Sequence, residues 1–398
     1  MSNKSGAELV GFEFETDDLD YLMKRKASNN ITEKEDDHSL LPEMYEEILV
    51  KLPAQYLYQD LRLVCKSWNN IISRKNFILD NFSRTKPVFL VQCDTLCRRS
   101  YCMEIDEQDL SYRMPEFGFD CVGRFKASCY GMLLMESRIA WNVREPELQV
   151  LNLVTKCCLT LPECPSGCAH KECGSGLGFD PCTNFFKVVH IYDMKVGFEI
   201  FTIGGSSNEW KTVPGPWKDL SKRSLLSSGW DDPVSVNGRF LHWNVLSYEY
   251  IVSMDVSDEK CIKIKLPYSV ESFTDESEFN LVELGGYLAC IYSASRTQME
   301  IWILQDFQRK LWLKKHSVHA KMIISSINPV PSFTQICPVG CTSNGVVVFT
   351  HTKRQRRMYI YDMKRKAMKK HAAKTKIDKL IVHRSSLFRL QNGSCYKS

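Results

Sequence analysis

Four residues whose types could bind a metal ion lie close together in the sequence. They are Cys164, Cys168, His170 and Cys173, with the spacing Cys-x3-Cys-x-His-x2-Cys in a stretch rich in Gly and Pro. Thiolates and imidazole are ligands that Zn²⁺ takes in tetrahedral sites. The spacing is not that of a pair of zinc knuckles, so we favour a cysteine-rich loop over a zinc site. The sequence predicts no metal ion and no other cofactor.

Motifs for covalent or acid–base catalysis are absent from the sequence. It contains no Gly-x-Ser-x-Gly turn, no phosphate-binding loop, no dinucleotide glycine pattern and no His-Glu-x-x-His pair. We therefore select no catalytic residue from the sequence.

Composition sets limits on the class of protein and its compartment. The chain has 398 residues, of which 44% are apolar and 25% charged, as in ordinary globular proteins. No run approaches the roughly 20 apolar residues that span a bilayer, and no secretory signal pattern opens the sequence. The 17 cysteines are scattered through apolar runs. We expect reduced thiols, no membrane contact, and a location in the nucleus and/or cytoplasm.

The elements that would position functional residues begin with two predicted helices. Residues 1–38 are polar and charged and predict a disordered leader. Apolar residues from Leu41 to Leu52 then follow helical spacing, with Pro42 at the start and Pro53 as the stop. A second helix is predicted over residues 61–72, after a short turn at 54–57. We assign residues 39–84 to this module, which is too small to cover its own apolar faces and therefore needs a partner.

From residue 85 the sequence predicts short strands in a repeated pattern. Strands that carry or follow a glycine recur at Tyr130-Gly131, Asn237-Gly238, Gly285-Gly286 and Asn344-Gly345. Pairs of strands joined by a polar turn recur from residues 139, 199, 250, 299 and 358, and residues 89–105 resemble an earlier copy. The spacing is close to the kelch period. The predicted fold is thus a small helical module followed, over 85–398, by an antiparallel β-propeller of about six blades, with a two-sheet sandwich as the alternative.

The tryptophans divide between predicted core and predicted surface. Most occupy equivalent positions of the repeats and are expected in blade cores: Trp141, Trp210, Trp243, Trp302 and Trp312. Trp217 and Trp230 stand outside the repeats, in the loop-like stretch 214–233. Because loops on a rigid scaffold usually carry recognition, these two are the candidates for substrate binding.

The helical module closely resembles an F-box. The matching residues are the paired Leu-Pro steps at Leu41-Pro42 and Leu52-Pro53 and the run Val64-Cys65-Lys66-Ser67-Trp68. The following domain resembles the F-box-associated domain of plant members of that family. The pieces that match are Trp141-Asn142, Gly178-Phe179-Asp180-Pro181, Lys187-Val188-Val189, Glu199-Ile200-Phe201, Trp210-Lys211, Val236-Asn237-Gly238, Leu241-His242-Trp243 and Leu266-Pro267.

The resemblance implies the substrate-recognition subunit of an SCF (Skp–cullin–F-box) ubiquitin ligase. The module would dock on the Skp-family adaptor, and through it on a cullin and a RING subunit, while the propeller presents an unidentified target protein for degradation. An apolar helix face that lacks cover suits such a groove contact. The implied adaptor-binding residues are Leu41, Pro42, Ile48, Leu49, Leu52, Pro53, Leu57, Leu61, Val64, Cys65 and Trp68.

Two other functions stay open at this stage. A propeller that binds proteins, or acts as an enzyme or lectin, would have a helical N-terminus by coincidence. An RNA-associated factor would use the basic residues that cluster over 353–379. Apolar residues alternate with these charges, so we favour a solvated face there and do not expect nucleic acid as a partner.

Overall fold

The computed structural model of the chain describes residues 42–92, 100–117, 123–137, 147–167, 174–192, 197–217, 231–245, 247–268, 278–325, 331–342, 344–352, 357–372, 377, 379–390 and 394–395. The chain divides into two compact units, Met1–Leu49 and Val50–Ser398. In the first unit the described part is helix α1 (Pro42–Leu49). The second unit opens with helix α2 (Ala54–Gln59), a 3₁₀ turn (Leu61–Leu63), helix α3 (Lys66–Ile72) and helix α4 (Lys75–Arg84).

The helical prediction was right about the region and wrong about two details. Residues 54–57, expected to form a turn, belong to α2, since Pro53 is extended and a new helix starts directly after it. The single helix expected over 61–72 is interrupted at Cys65, whose backbone is also extended (φ −159°, ψ 164°). Residues three apart share a face in both 3₁₀ and α-helices, so the spacing could not separate the two.

Six sheets, antiparallel except for one short parallel edge strand in the last of them, follow in the second unit, and we number them as blades in chain order. Blade 1 contains β1 (Val88–Gln92), β2 (Ser100–Asp106), β3 (Ser111–Arg113) and β4 (Glu116–Phe117); blade 2 contains β5 (Gly123–Cys129), β6 (Met132–Ser137), β7 (Glu147–Asn152) and β8 (Cys157–Thr160); blade 3 contains β9 (Gly174–Asp180), β10 (Phe185–Tyr192), β11 (Gly197–Ile203) and β12 (Trp210–Pro214). Blade 4 contains β13 (Val234–Val236), β14 (Phe240–Trp243), β15 (Tyr250–Asp255) and β16 (Lys260–Lys265); blade 5 contains β17 (Glu278–Leu284), β18 (Tyr287–Ser293), β19 (Gln298–Asp306) and β20 (Leu311–His319); blade 6 contains β21 (Ile324–Ser325), β22 (Ile336–Cys341), β23 (Val346–His351), β24 (Arg357–Asp362) and β25 (Ala367–Ala372). Two 3₁₀ turns flank β21: Ala320–Met322 precedes it and Phe333–Gln335 follows it.

The end of the chain closes the ring. Strand β26 (Lys379–His383) pairs with β1, and β27 (Ser394–Cys395) pairs with β8 at the outer edge of blade 2. The innermost strands β26, β5, β9, β13, β17 and β22 contact one another in that circular order. Blade 1 therefore takes its inner strand from the C-terminus, and the sheets form a closed six-bladed propeller.

A buried ionic network fastens this closure. The ammonium groups of Lys379 on β26 and Lys126 on β5 lie 2.9 Å and 3.0 Å from the carboxylate of Asp232, next to blade 4. Burial alone would raise the pKa of Asp232, but the two ammonium groups hold that pKa below its ordinary value. Because breaking a buried ion pair leaves an uncompensated charge, the network favours the closed ring.

The hydrophobic core lies between blades instead of at one centre. Each of the six junctions between neighbouring blades has its own apolar cluster. Trp243, which is fully buried, belongs to the cluster between blades 3 and 4. Two outer-strand tryptophans add hydrogen bonds across junctions: Trp210 Nε1 donates to Pro162 O (2.9 Å), and Trp312 Nε1 donates to Lys265 O (2.8 Å).

The predicted propeller is confirmed, and the predicted sandwich is wrong. All four glycine positions selected from the sequence lie in the turn between the innermost strand of a blade and the next strand, with positive φ at Gly131, Gly238, Gly285 and Gly345. One repeat was misplaced. The strand pair expected over 139–151 corresponds to β7 and β8, and residues 138–146 lie outside the described ranges. None of the helices in the described ranges is long and apolar enough to cross a membrane.

Candidate adaptor-binding surface

The predicted adaptor-binding residues divide into buried and exposed groups. Leu49, Leu57 and Leu61 are at most 2% exposed and serve the chain's own core. Leu52, Pro53, Cys65 and Trp68 are half-buried. The exposed members are Ile48 on α1, at 37%, and Val64 just after the 3₁₀ turn, at 36%. Leu41 lies outside the described residues; Pro42 begins α1.

Two exposed apolar residues were missed by the sequence reasoning. Leu63 is 70% exposed, and Met44, one helical turn before Ile48 on α1, is 45% exposed. The break at Cys65 turns Leu63 and Val64 outward, which a continuous helix would not have predicted. Each compact unit thus presents two exposed apolar side chains within the predicted adaptor-binding region.

Helices α2 to α4 are fixed to the propeller within the second unit. The ring of Phe82 on α4 stacks on Tyr130 in the first turn of blade 2, with centroids 4.9 Å apart and an interplanar angle of 19°. Tyr130 in turn contacts Phe179 of blade 3 and Phe388 of the C-terminal segment. Helix, two blades and chain end meet in one aromatic cluster.

Polar contacts complete this attachment. Lys75 Nζ donates to Asn184 Oδ1 in the first turn of blade 3 (2.6 Å), and the guanidinium of Arg389 lies over the ring of Tyr58 (5.4 Å). Asn81, which is 2% exposed, donates to Val50 O (2.9 Å) and Leu52 O (2.8 Å). These bonds fix the segment between α1 and α2 to α4.

Comparison with protein families decides what this combination is. Residues 103–392 match the family model described as the F-box associated beta propeller domain, and residues 38–80 match the F-box domain. The chain is an F-box protein. It belongs to the members of that family whose F-box is followed by an F-box-associated propeller.

Curated relatives agree with this assignment. F-box protein At3g07870 of Arabidopsis thaliana is 23% identical, over 70% of this chain and 72% of that protein. F-box protein At5g49610 of the same plant is 27% identical, over 75% of this chain and 83% of that protein. The putative F-box/kelch-repeat protein At1g12170, also from Arabidopsis, is 25% identical over 74% and 84%.

Of the two candidate substrate-binding tryptophans, the structure describes one. Trp217 of this F-box protein is half-buried at the junction between blades 3 and 4. Its Nε1 donates to the Tyr250 hydroxyl (3.1 Å), and its ring is parallel to that of Phe198 at 6.5 Å. A role in recognition stays a prediction for Trp217. Trp230 and Trp141 lie outside the described residues.

Several residues of the basic C-terminal segment hold blade 6 to blade 1. The guanidinium of Arg365 pairs with Asp362 and also donates to the carbonyl oxygens of Glu107 and Gln108. Lys369 Nζ donates to Asp109 O (3.1 Å), and Lys379 belongs to the buried network described above. These basic side chains therefore stabilise the closed propeller. Lys353, Arg354, Arg356, Lys374 and Lys376 lie outside the described residues.

The cysteine-rich stretch is only partly described. Cys168, His170 and Cys173 lie outside the described residues, so the predicted grouping with Cys164 is untested. Cys164 itself is buried, and its neighbours are His190 and Glu199 of blade 3, which the sequence reasoning did not select. The eleven cysteines whose side chains are described are all free thiols.

Proposed function

We propose that this F-box protein is a substrate-recognition subunit of an SCF-type ubiquitin ligase. Its F-box docks on a Skp-family adaptor, which connects it to a cullin and a RING subunit, and its propeller presents a target protein for ubiquitination. Bond-forming chemistry belongs to the other subunits, so this chain has no catalytic role. We place it in the nucleus and/or cytoplasm, where those subunits work on soluble targets.

The exposed Leu63–Val64 step is the observation that carries this proposal. A leucine that is 70% exposed beside a half-exposed valine leaves apolar surface in water within a family-matched F-box. Burying such a side chain in a groove contributes about 1.5–3 kcal/mol. Met44 and Ile48 add exposed apolar surface on α1. An apolar groove on the adaptor would cover surface that this chain leaves open.

The firm attachment of α2–α4 to the propeller also supports a receptor role. A ligase receptor has to hold its target at a fixed distance from the charged enzyme. The Phe82–Tyr130 stack and the Lys75–Asn184 hydrogen bond resist rotation between these helices and blades 2 and 3.

The strand topology supports a proposal for the end of the propeller that binds the target. Tyr130 and Asn184, which the helices contact, both lie in turns between the first two strands of a blade. In an antiparallel blade the turn between strands three and four lies at the same end, and the turn between strands two and three lies at the opposite end. The opposite end also carries the connections between blades. Exposed Tyr248 and Met322 lie there, as does Trp217, and we assign recognition to that end.

A matched pair of double variants tests the adaptor contact. Leu63→Glu/Val64→Glu places charge where the groove would close, and a loss of affinity of at least 100-fold, about 3 kcal/mol, is expected for the purified adaptor. Leu311→Glu/Leu313→Glu changes two equally exposed leucines of blade 5 and should leave adaptor binding unchanged. Binding is measured by calorimetry and by co-precipitation of the cullin.

The outcomes separate the proposed function from simple misfolding. Both variants should melt like the wild-type protein because the four side chains are exposed. Undiminished adaptor binding by the Leu63→Glu/Val64→Glu protein would contradict the proposal. Binding through an apolar groove should change little between low and high salt, whereas a nucleic-acid role would give steeply salt-dependent binding to RNA.

A further inference from the structure

Three side chains able to bind a metal ion converge at one end of blade 3. Cys164 comes from the connection between β8 and β9, His190 from β10 and Glu199 from β11. His190 and Glu199 are direct partners across the two strands. The thiol, imidazole and carboxylate ligand atoms all lie within 4.8 Å of one another. Exposure is 6% for Cys164, and Glu199 and His190 are at most 1% exposed.

The charge balance of this cluster favours a cation. Within the described residues, the ion-pair partner of the Glu199 carboxylate is His190, and the Nδ1–Oε2 distance of 3.7 Å is too long for a hydrogen bond. A buried carboxylate needs compensation by a charge or by hydrogen bonds. A divalent cation bound by a thiolate, a carboxylate and a neutral imidazole would bring the net charge of the group to zero.

We propose that Cys164, His190 and Glu199 form a Zn²⁺ site. Zinc accepts sulfur, nitrogen and carboxylate oxygen together, while the thiolate disfavours Mg²⁺ and Ca²⁺. Ser166 supports the ligands, since its hydroxyl donates to Glu199 Oε2 (2.9 Å) and lies 3.2 Å from Cys164 Sγ. Such outer contacts orient ligands and raise affinity. Water takes the fourth position of the tetrahedral ion.

The site fixes the connection between blades 2 and 3 to the body of blade 3. His190 lies near the end of β10, and Glu199 near the start of β11, so the ion sits at the end of the propeller opposite to helices α2–α4. Binding releases the thiol proton of Cys164 to solvent, and zinc affinity therefore falls as the pH is lowered. This site differs from the cysteine-rich set suggested by the sequence, because two of its ligands come from strands of blade 3.

Metal content and cobalt spectroscopy of the full-length chain test the site. Protein purified without chelators should contain an equimolar amount of zinc, and chelation should lower its melting temperature until Zn²⁺ is restored. Replacement of zinc by Co²⁺ should give a thiolate-to-cobalt charge-transfer band. In Cys164→Ser this band should be lost and zinc affinity should fall by more than about 100-fold, since even outer-shell changes typically cost 10–100-fold.

Matched variants distinguish the two ligand sets. Cys182→Ser changes an exposed cysteine and should bind zinc normally. The triple variant Cys168→Ser/His170→Gln/Cys173→Ser should also retain zinc and the cobalt band. His190→Gln and Glu199→Gln should each lose zinc. Both positions are buried in strands, so these two variants could fail to fold. Cys164→Ser exchanges only sulfur for oxygen outside the strands, and it still tests the site in that case. Wild-type protein without zinc affinity would overturn the proposal. So would loss of zinc in the triple variant with retention in folded His190→Gln and Glu199→Gln.

Discussion

Two buried histidines show how single residues set the chemistry of the interior. His242 Nδ1 lies 2.8 Å from the hydroxyl of Ser253 on the neighbouring strand, and His383 Nδ1 lies 2.9 Å from that of Ser128 on the next blade. Burial lowers the pKa of His242 to about 3 and that of His383 to about 4, from an ordinary value of 6.5. Both rings are therefore neutral in the folded protein at neutral pH.

This neutrality predicts a pH-dependent stability. As the pH falls below about 6.5, both imidazoles bind protons in the unfolded chain, whereas in the folded chain they stay neutral down to about pH 3–4. The free energy of unfolding therefore decreases across that interval. Each histidine contributes up to about 1.4 kcal/mol per pH unit. Urea unfolding from pH 7.5 to pH 5 should show this slope. The double variant His242→Gln/His383→Gln should have a flatter profile, and exposed His319→Gln should match the wild type; equal slopes for wild type and double variant would contradict the argument.

The sequence identified Cys164 as a possible metal ligand but did not reveal which side chains lie beside it, because that depends on how the strands pair. Cys164 was selected for its cysteine neighbours, but its described partners are His190 and Glu199. Those two meet only because β10 and β11 pair with that register, which a single sequence does not reveal. Leu63 was missed for a related reason, since the break at Cys65 decides which side chains face outward.

At the scale of elements, the clearest signal of the blades was in turns that the sequence reasoning did not use. In five blades the third strand, counted outward from the innermost strand, ends at Asp or Asn, whose side chain accepts a hydrogen bond from a backbone N–H two or three residues later. Four residues after each of these comes a residue with positive φ. The positions are Asp106 with Leu110, Asn152 with Lys156, Asp255 with Glu259, Asp306 with Lys310, and Asp362 with Lys366. Side-chain bonds of this kind favour tight turns, so the pattern would have placed the misassigned repeat in blade 2.

Helix α4 connects the F-box to the propeller, and one substitution tests this role. Phe82→Ala removes the ring that stacks on Tyr130 and should cost about 1–3 kcal/mol locally, because an aromatic contact and its buried area are lost. Hydrogen exchange should become faster in residues 75–84 and stay unchanged in β9–β11. Leu79→Ala, at another half-buried position of α4, is the control. Equal protection of residues 75–84 in Phe82→Ala and wild type would show that the stack does not hold the helix.

At the scale of the whole molecule, stability depends on the C-terminal segment. Residues 379–390 supply the inner strand of blade 1, the Lys379–Asp232 ion pair and bonds to blade 2, where Asn152 Nδ2 donates to Ser386 O (3.1 Å) and Phe388 O (2.8 Å). Closure of the propeller thus depends on residues 379–390 near the end of the chain.

Two truncations test this dependence. A chain ending at Ile377 loses all of these contacts and should no longer unfold in one cooperative transition, because blade 1 has no inner strand. Of the described contacts, a chain ending at Leu390 loses the pairing of β27 with β8, and its melting temperature should change by a few degrees at most. Calorimetry of both proteins provides the measurement. Similar melts for the two chains would show that closure does not depend on β26.

The late position of β26 has a consequence for synthesis. Chains fold from the N-terminus as they emerge, at about 5–20 residues per second, so the F-box helices leave the ribosome on the order of tens of seconds before Lys379. During that time the Arg389–Tyr58 and Phe388–Tyr130 contacts do not exist. Under the proposed function, a nascent or prematurely stopped chain could therefore offer its F-box helices to the adaptor before its propeller is closed and able to bind a target. A stop codon shortly before Lys379 would then produce a competitor for the adaptor, and the mutant allele would act dominantly over the intact one.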